Sequence, residues 1–230
     1  MNGDYKRFII NKSNFIFVGE AGSGKSEIAI NFAKSLARLN EKPVHFFDMD
    51  MTKPLFRSRD VKTELEEIGI IFHHEEQFFD APTVVGGVNL LLKDENCYVI
   101  MDIGGNDIGA RAIGGFAPKV NQDNTIVYYV LNVYRPWSDN LNHIDETLSS
   151  ILQISHIKLD KVHIISNPNN GISTTAEEVL EGNLKTVEML GSLMNIDFTC
   201  VSDALYENVK AKTDVPLMPI HLYLTYPWNQ

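Results

Sequence analysis

Residues 14–26 read Asn14-Phe15-Ile16-Phe17-Val18-Gly19-Glu20-Ala21-Gly22-Ser23-Gly24-Lys25-Ser26, an apolar run that breaks into a glycine-rich turn and a Lys-Ser pair. From Gly19 onward the residues match G-x-x-x-x-G-K-[ST], and the spacing of Ile28, Phe32, Leu36 and Leu39 behind them predicts an amphipathic helix. The order strand, glycine loop, helix has a physical purpose. Glycines at 19, 22 and 24 let the backbone curl until successive N–H groups converge on phosphate oxygens, and the helix N-terminus adds a positive dipole. The Lys25 ammonium then reaches the β- and γ-phosphates, and the Ser26 hydroxyl is the expected Mg²⁺ ligand. Gly19, Glu20, Ala21, Gly22, Ser23, Gly24, Lys25, Ser26 and the adjoining Glu27 form the predicted nucleotide-contact segment.

Outward from this segment, short apolar runs alternate with helical patterns, which predicts an α/β fold: a doubly wound, mostly parallel sheet of about seven strands with helices on both faces. Strands are expected at Asn14–Val18, Val44–Phe47, Tyr98–Met101, Ile126–Leu131, Val162–Ile165 and Asp197–Val201, with a weaker one at Gly69–Phe72. Several are apolar on successive residues, as strands buried on both faces must be. Leu141, Ile144, Leu148 and Ile151 make a second helical stripe, with Ser138 as its expected N-cap. A third helix is expected from Thr174, where Thr174 and Glu177 have capping-box spacing, through Val179, Leu184 and Val187. No repeat or Pro/Gly-rich linker divides the chain, so residues 1–230 are read as one nucleotide-binding domain.

Composition narrows the partners. A formal net charge of -10 repels nucleic-acid phosphates and anionic lipid, which makes neither an expected partner. No apolar run approaches a membrane span, and Met1-Asn2-Gly3-Asp4-Tyr5-Lys6-Arg7 is followed by no signal-peptide core, so the expected location is the cytoplasm. Cys97 and Cys200 each lie in an apolar stretch and are read as reduced core thiols.

A phosphate site needs acids to hold the metal and place the attacking nucleophile. Two predicted strands end in them: Val44-His45-Phe46-Phe47-Asp48-Met49-Asp50, and Tyr98-Val99-Ile100-Met101-Asp102-Ile103-Gly104-Gly105. Carboxyl ends of parallel strands face the ligand crevice, which brings both acids toward Lys25. Asp102 is read as a Walker-B acid holding Mg²⁺, with Gly105 closing a D-x-x-G turn whose N–H senses the γ-phosphate. Asp50 is the candidate to orient water or touch the metal, and Asp48 is read as structural.

Together these landmarks resemble the SIMIBI class of P-loop NTPases, specifically the MinD/ParA/nitrogenase-iron-protein group, across most of the chain. The resemblance implies that Asp48 and Asp50 form a switch I, whose second Asp positions the hydrolytic water, and that Asp102 to Gly105 form a switch II. Val162-His163-Ile164-Ile165-Ser166-Asn167-Pro168 resembles the strand whose terminal Asn reads adenine, implying base contacts at Asn167 and Pro168. The stretch Asp197 to Ala204, followed by Val209 and Val215-Pro216-Leu217, resembles the final base-enclosing loop and its helix, with Ser202 and Asp203 at the nucleotide. This chain departs from the group at Glu20, where the deviant Walker loops carry a lysine that crosses a dimer interface. That departure argues against a nucleotide-sandwich dimer, although a homodimer built otherwise stays open. Glu20 is expected to point outward. The cluster cysteines of the iron protein have no counterpart.

Other constellations carry weaker expectations. Thr52 to Asp60 holds Lys53, Arg57 and Arg59 directly behind switch I, and Arg111 follows the D-x-x-G turn. Arg57, Arg59 and Arg111 are arginine-finger candidates. His73-His74-Glu75-Glu76 suggests a metal, but adjacent strand residues point in opposite directions, which makes a shared ion awkward. Asn132-Val133-Tyr134-Arg135-Pro136-Trp137 ends a central strand near the crevice as a candidate partner or substrate surface. The leading expectation is a Mg·ATP-dependent switch ATPase acting on a protein partner, with cofactor or metalloenzyme maturation among the possible tasks. A small-molecule kinase or ligase resembling dethiobiotin synthetase and a non-hydrolysing nucleotide scaffold are the alternatives.

Overall fold

The structure is a computed structural model that describes residues 9–50, 58–74, 82–105, 107–191 and 193–224. It contains one eight-stranded sheet, built from β1 (Asn14–Val18), β2 (Val44–Met49), β3 (Ile70–His73), β4 (Tyr98–Ile103), β5 (Thr125–Leu131), β6 (Val162–Ser166), β7 (Ile196–Ser202) and β8 (Leu217–Ile220). The strand order is β3-β2-β4-β1-β5-β6-β7-β8, and every recorded pairing is parallel.

The pleat divides the apolar runs between two cores. Phe15 and Phe17 face one side with Phe46, Ile100, Tyr128 and Ile165, whereas Ile16 and Val18 face the other with Phe47, Met101, Val127 and Tyr129. Period-two alternation with both faces covered explains why these strands are apolar throughout. Helix α1 (Lys25–Ala37) covers the first face through Ile28, Phe32 and Leu36. The segment after β4 enters the helix Asp107–Gly114, whose Ile113 covers the second face. The adjacent strands β1 and β4 therefore send their connections to opposite sides. This is the topological switch point, where a doubly wound sheet opens a crevice beyond its carboxyl ends.

Two expectations are corrected and one strand is added. The helix expected after Ala204 is the short Tyr206–Lys210, which buries Val209, and Leu217–Ile220 adds an eighth strand beside β7. Pro219 is tolerated there because β8 is an edge strand and Pro219 is exposed. Asn140, not Ser138, caps the helix Leu141–Ser155 by accepting from His143 N. The capping box uses Thr175 and Glu178, one residue later than expected, while the Thr174 hydroxyl serves the preceding turn at Asn170 and Gly171. In that register the helix Ala176–Leu190 buries Ala176, Val179, Asn183, Thr186 and Leu190, leaving Leu184 and Val187 exposed. Asn183 is accommodated because its Oδ1 accepts from the Thr199 hydroxyl at 2.6 Å.

Candidate nucleotide-binding site

At the carboxyl end of β1 the chain turns through Gly19, Gly22 and Gly24 with φ of 137°, 76° and 93°, a left-handed region that L side chains avoid. Space excludes side chains as well. A Cβ on Gly19 would lie 2.5 Å from Val130 O, and one on Gly24 would collide with the Asn167 amide. Lys25 and Ser26 open α1, both almost fully buried, and Lys25 Nζ donates to Glu20 O at 2.9 Å. The ammonium is thus held over its own loop.

Parallel register brings the acids together. Asp48 on β2 is the neighbour of Asp102 on β4, which is in turn the neighbour of Phe17 on β1. Asp48, Asp50 and Asp102 are all essentially buried. The D-x-x-G turn then folds against both other parts: a Cβ on Gly104 would sit 3.1 Å from Asp50 Oδ1, and one on Gly105 2.7 Å from Ala21 N. Phosphate loop, first acid strand and second acid strand are in direct contact.

The turn Ser58–Val61 clamps this cluster. Ser58 Oγ donates to Asp102 Oδ2. Its neighbour Arg59 donates from Nε to Asp48 Oδ2 at 2.8 Å and from Nη2 to Asp50 O at 3.2 Å. Asp48 Oδ1 also accepts from Asp50 N at 3.1 Å, in keeping with its reading as structural. Burial pushes the Asp48 carboxyl above its ordinary value and the Asp102 charge adds to this, against the opposing pull of Arg59. Arg59 is committed to this ion pair, Arg111 is exposed on its helix, and Lys53 and Arg57 lie outside the described residues.

Mg²⁺ fits the donor set. Asp102 Oδ1 is buried and has no hydrogen-bond partner among the described residues, so a cation ligand would satisfy it. Ser26 stands at the start of α1, and Asp50 lies against the turn that follows Asp102.

Residues 15–174 match the CobQ/CobB/MinD/ParA nucleotide-binding domain family. The chain belongs to that family. It is a SIMIBI-class P-loop NTPase fold, and solved structures of the same fold agree. The signal recognition particle receptor FtsY from Elizabethkingia anophelis in complex with GDP aligns with a TM-score of 0.55 at 14% identity, covering 84% of this chain and 57% of that one. Chloroplast FtsY from Physcomitrella patens aligns at 0.52 and 14%, covering 82% and 58%. The signal recognition particle 54 kDa protein from Aeropyrum pernix K1, in complex with GDP, aligns at 0.51 and 22%, covering 82% and 41%. This chain therefore spans between 41% and 58% of the length of these structures, and at such identities the likeness concerns the fold. No curated protein matches.

The residues expected at the base lie at and beyond the carboxyl ends of β6 and β7. Asn167 Nδ2 donates to Ser23 O at 2.7 Å, which braces the phosphate loop and leaves the second amide hydrogen and Oδ1 to face elsewhere. Pro168, Asn169, Ile172, Val201, Ser202 and Leu205 line a cavity of 110 Å³ beside it. Ile172 is 71% exposed at this cavity, an apolar wall open to solvent. Gly182 permits the tight packing beneath, since its Cβ would meet Pro168 Cβ at 2.5 Å.

Four residues singled out in the sequence make other contacts. Asp203 pairs with His221 at 2.8 Å and lines a separate 450 Å³ crevice with Asn31, Lys34 and Arg38. Glu27 accepts from Tyr223 N at 2.5 Å and Leu224 N at 3.1 Å, clasping the C-terminal segment to α1. Burial raises its pKa against the pull of those two N–H groups and His221. Glu20 does not point outward: its carboxylate is half-buried and accepts from Thr147 Oγ1 at 3.0 Å and Ala21 N at 3.2 Å. His73 pairs with His45 Nδ1 at 3.1 Å and stacks on Phe47, and burial with its two histidine neighbours pushes it down to about 4. Among the described residues no group of three or more His, Cys, Asp or Glu is placed to hold a metal; Glu75 and Glu76 lie outside them. Cys97 and Cys200 are buried thiols, Cys97 pushed up to about 11 by burial.

The sequence reading also missed two contacts. Ser58 on Asp102 had no spacing signal, and Arg135 donates from Nε to Gly22 O at 3.1 Å across the fold. No described helix is long and apolar enough to cross a membrane.

Proposed function

We propose that this protein is a Mg²⁺-dependent ATP-binding and hydrolysing switch that acts on a partner protein. The observation that carries the reading is the contact of Gly105 with the phosphate loop and of Gly104 with Asp50, because a change at the γ-phosphate then reaches both acid strands at once. Loop N–H groups and Lys25 hold the β- and γ-phosphates, Ser26 and Asp102 hold the metal, and Asp50 orients the attacking water. Mg²⁺ supplies charge neutralisation on the phosphate oxygens. The turn at Ser58 and Arg59 follows the acids it clamps.

Adenine is the proposed base. The Asn167 amide can donate to N7 and accept from the exocyclic amine, and no Asp follows Asn167 at the spacing a guanine reader needs. The carboxylate of Glu20 cannot replace a trans-acting lysine, so the proposed protein does not form a sandwich dimer on ATP. Light scattering with a non-hydrolysable ATP analogue would reveal such a dimer.

Phosphate release by the purified protein tests the reading, with Mg·ATP and Mg·GTP in parallel and Asp50→Asn as comparison. Slow ATP turnover that drops at least tenfold in Asp50→Asn supports it. Wild-type turnover in that variant, or faster use of GTP, contradicts it. Proteins captured from extract in an ATP analogue but not in ADP would supply the partner.

A further inference from the structure

Arg135 is placed between the phosphate loop and the loop that follows β6. The backbone of its turn is fixed at both sides: Arg135 N donates to Asn132 O at 2.9 Å, and Ser138 N donates to Arg135 O at 3.0 Å. Asn132, buried, accepts on Oδ1 from Tyr134 N and donates from Nδ2 to Asn169 O at 2.8 Å. From that base the guanidinium reaches Gly22 O through Nε at 3.1 Å and Asn169 O through Nη2 at 3.4 Å.

Both partners are informative. Gly22 belongs to the loop whose N–H groups face phosphate, and Arg135 takes its carbonyl, so the guanidinium stands on the outer side of the phosphate bowl. Asn169 lines the 110 Å³ cavity with Pro168 and Ile172, so the guanidinium is bonded to a residue of that cavity's wall. A nucleotide with its phosphates in the loop and its base toward Asn167 must carry its nucleoside past this point. A guanidinium has five N–H donors and a flat face that stacks on aromatic rings. Two of those donors are engaged with backbone carbonyls here, which fixes the plane.

We infer that Arg135 is a nucleoside-binding residue, its guanidinium face packing on the base–ribose half while its edge joins the phosphate loop to the Asn169 loop. The inference rests on the nucleotide reading of Gly19–Ser26. It differs from a bracing role in one measurable respect, because a brace for the loop would serve inorganic polyphosphate as well as a nucleotide.

The test is calorimetric titration of Mg·ADP and of inorganic Mg·tripolyphosphate into wild type, Arg135→Ala, Arg135→Lys and Lys25→Ala. Arg135→Ala should weaken ADP roughly tenfold, the loss of one stacked base contact, and tripolyphosphate by less than about twofold. Arg135→Lys keeps a charge near Gly22 O but has no plane, and should likewise bind tripolyphosphate normally and ADP weakly. Equal losses of both ligands in either variant, or no loss of ADP, overturn the inference alone. If wild type binds neither ligand, or Lys25→Ala binds both undiminished, the phosphate-loop reading falls and takes the inference with it.

Discussion

Ser58 Oγ donates to Asp102 Oδ2, so the hydroxyl of the turn behind β2 is bonded to the carboxylate proposed to hold the metal. Asp102 is fully buried and its second oxygen has no partner among the described residues. Removing the hydroxyl leaves that carboxylate without either bond, at a cost of about 1–3 kcal/mol. Ser58→Ala should therefore lower the thermal midpoint of the nucleotide-free protein, and saturating Mg·nucleotide should close most of the gap to wild type. An equal deficit with and without Mg·nucleotide would show that Ser58 and the metal do not share Asp102.

Arg59 and Arg111 should behave in opposite ways. The Arg59 side chain neutralises an Asp48 that has no solvent exposure, and removing one partner of a buried pair costs roughly 3–5 kcal/mol. Arg111 is exposed on its helix and its replacement should stay within about 0.5 kcal/mol. Urea unfolding of Arg59→Met and Arg111→Ala separates them. A small effect at Arg59 would mean that its ion pair with Asp48 does not hold the acid cluster.

The Glu27 clasp predicts a pH dependence. Burial raises the Glu27 pKa above its ordinary 4.5, so the folded chain binds this proton more tightly than the unfolded chain does. Stability from this group is then fully present below about pH 4.5 and falls as pH rises through the raised value. Glu27→Gln keeps an acceptor for only one of Tyr223 N and Leu224 N, which bond separate carboxylate oxygens, but it cannot titrate, so it should lose less stability than wild type between pH 4.5 and neutrality. Parallel urea titrations across that range check the sign. A steeper fall in the variant would contradict the buried-carboxylate account.

The parts legible in the sequence were those encoded within a few neighbouring residues. Strands β1, β2 and β4 to β7 show as apolar runs because both faces are covered, β3 shows more weakly because Ile71 is exposed, and the phosphate loop shows because glycine, lysine and serine are each required at a fixed position. Strand β8 escaped because Pro219 breaks its pattern, which an edge strand tolerates. The tandem pairs Thr174-Thr175 and Glu177-Glu178 offer a capping box in two registers, and only the burial of Ala176 and Val179 chooses between them. Glu27 reads as a phosphate-loop neighbour until the C-terminal segment returns to it. Arg135 depends on Gly22 and Asn169, which lie far from it in the chain and meet it only because β5 adjoins β1 and β6.

The central claim is that Gly19 to Ser26 bind the phosphates of a Mg·nucleotide. Calorimetric titration of Mg·ATP analogue into wild type and Lys25→Ala, each repeated with EDTA, tests it most directly. Lys25 is almost fully buried and its Nζ donates to Glu20 O within its own loop, so the variant is expected to fold. The account predicts saturable binding by wild type, at least tenfold weaker with EDTA, and loss of measurable binding in a folded Lys25→Ala. Binding of equal strength in both proteins, or binding indifferent to Mg²⁺, would contradict it.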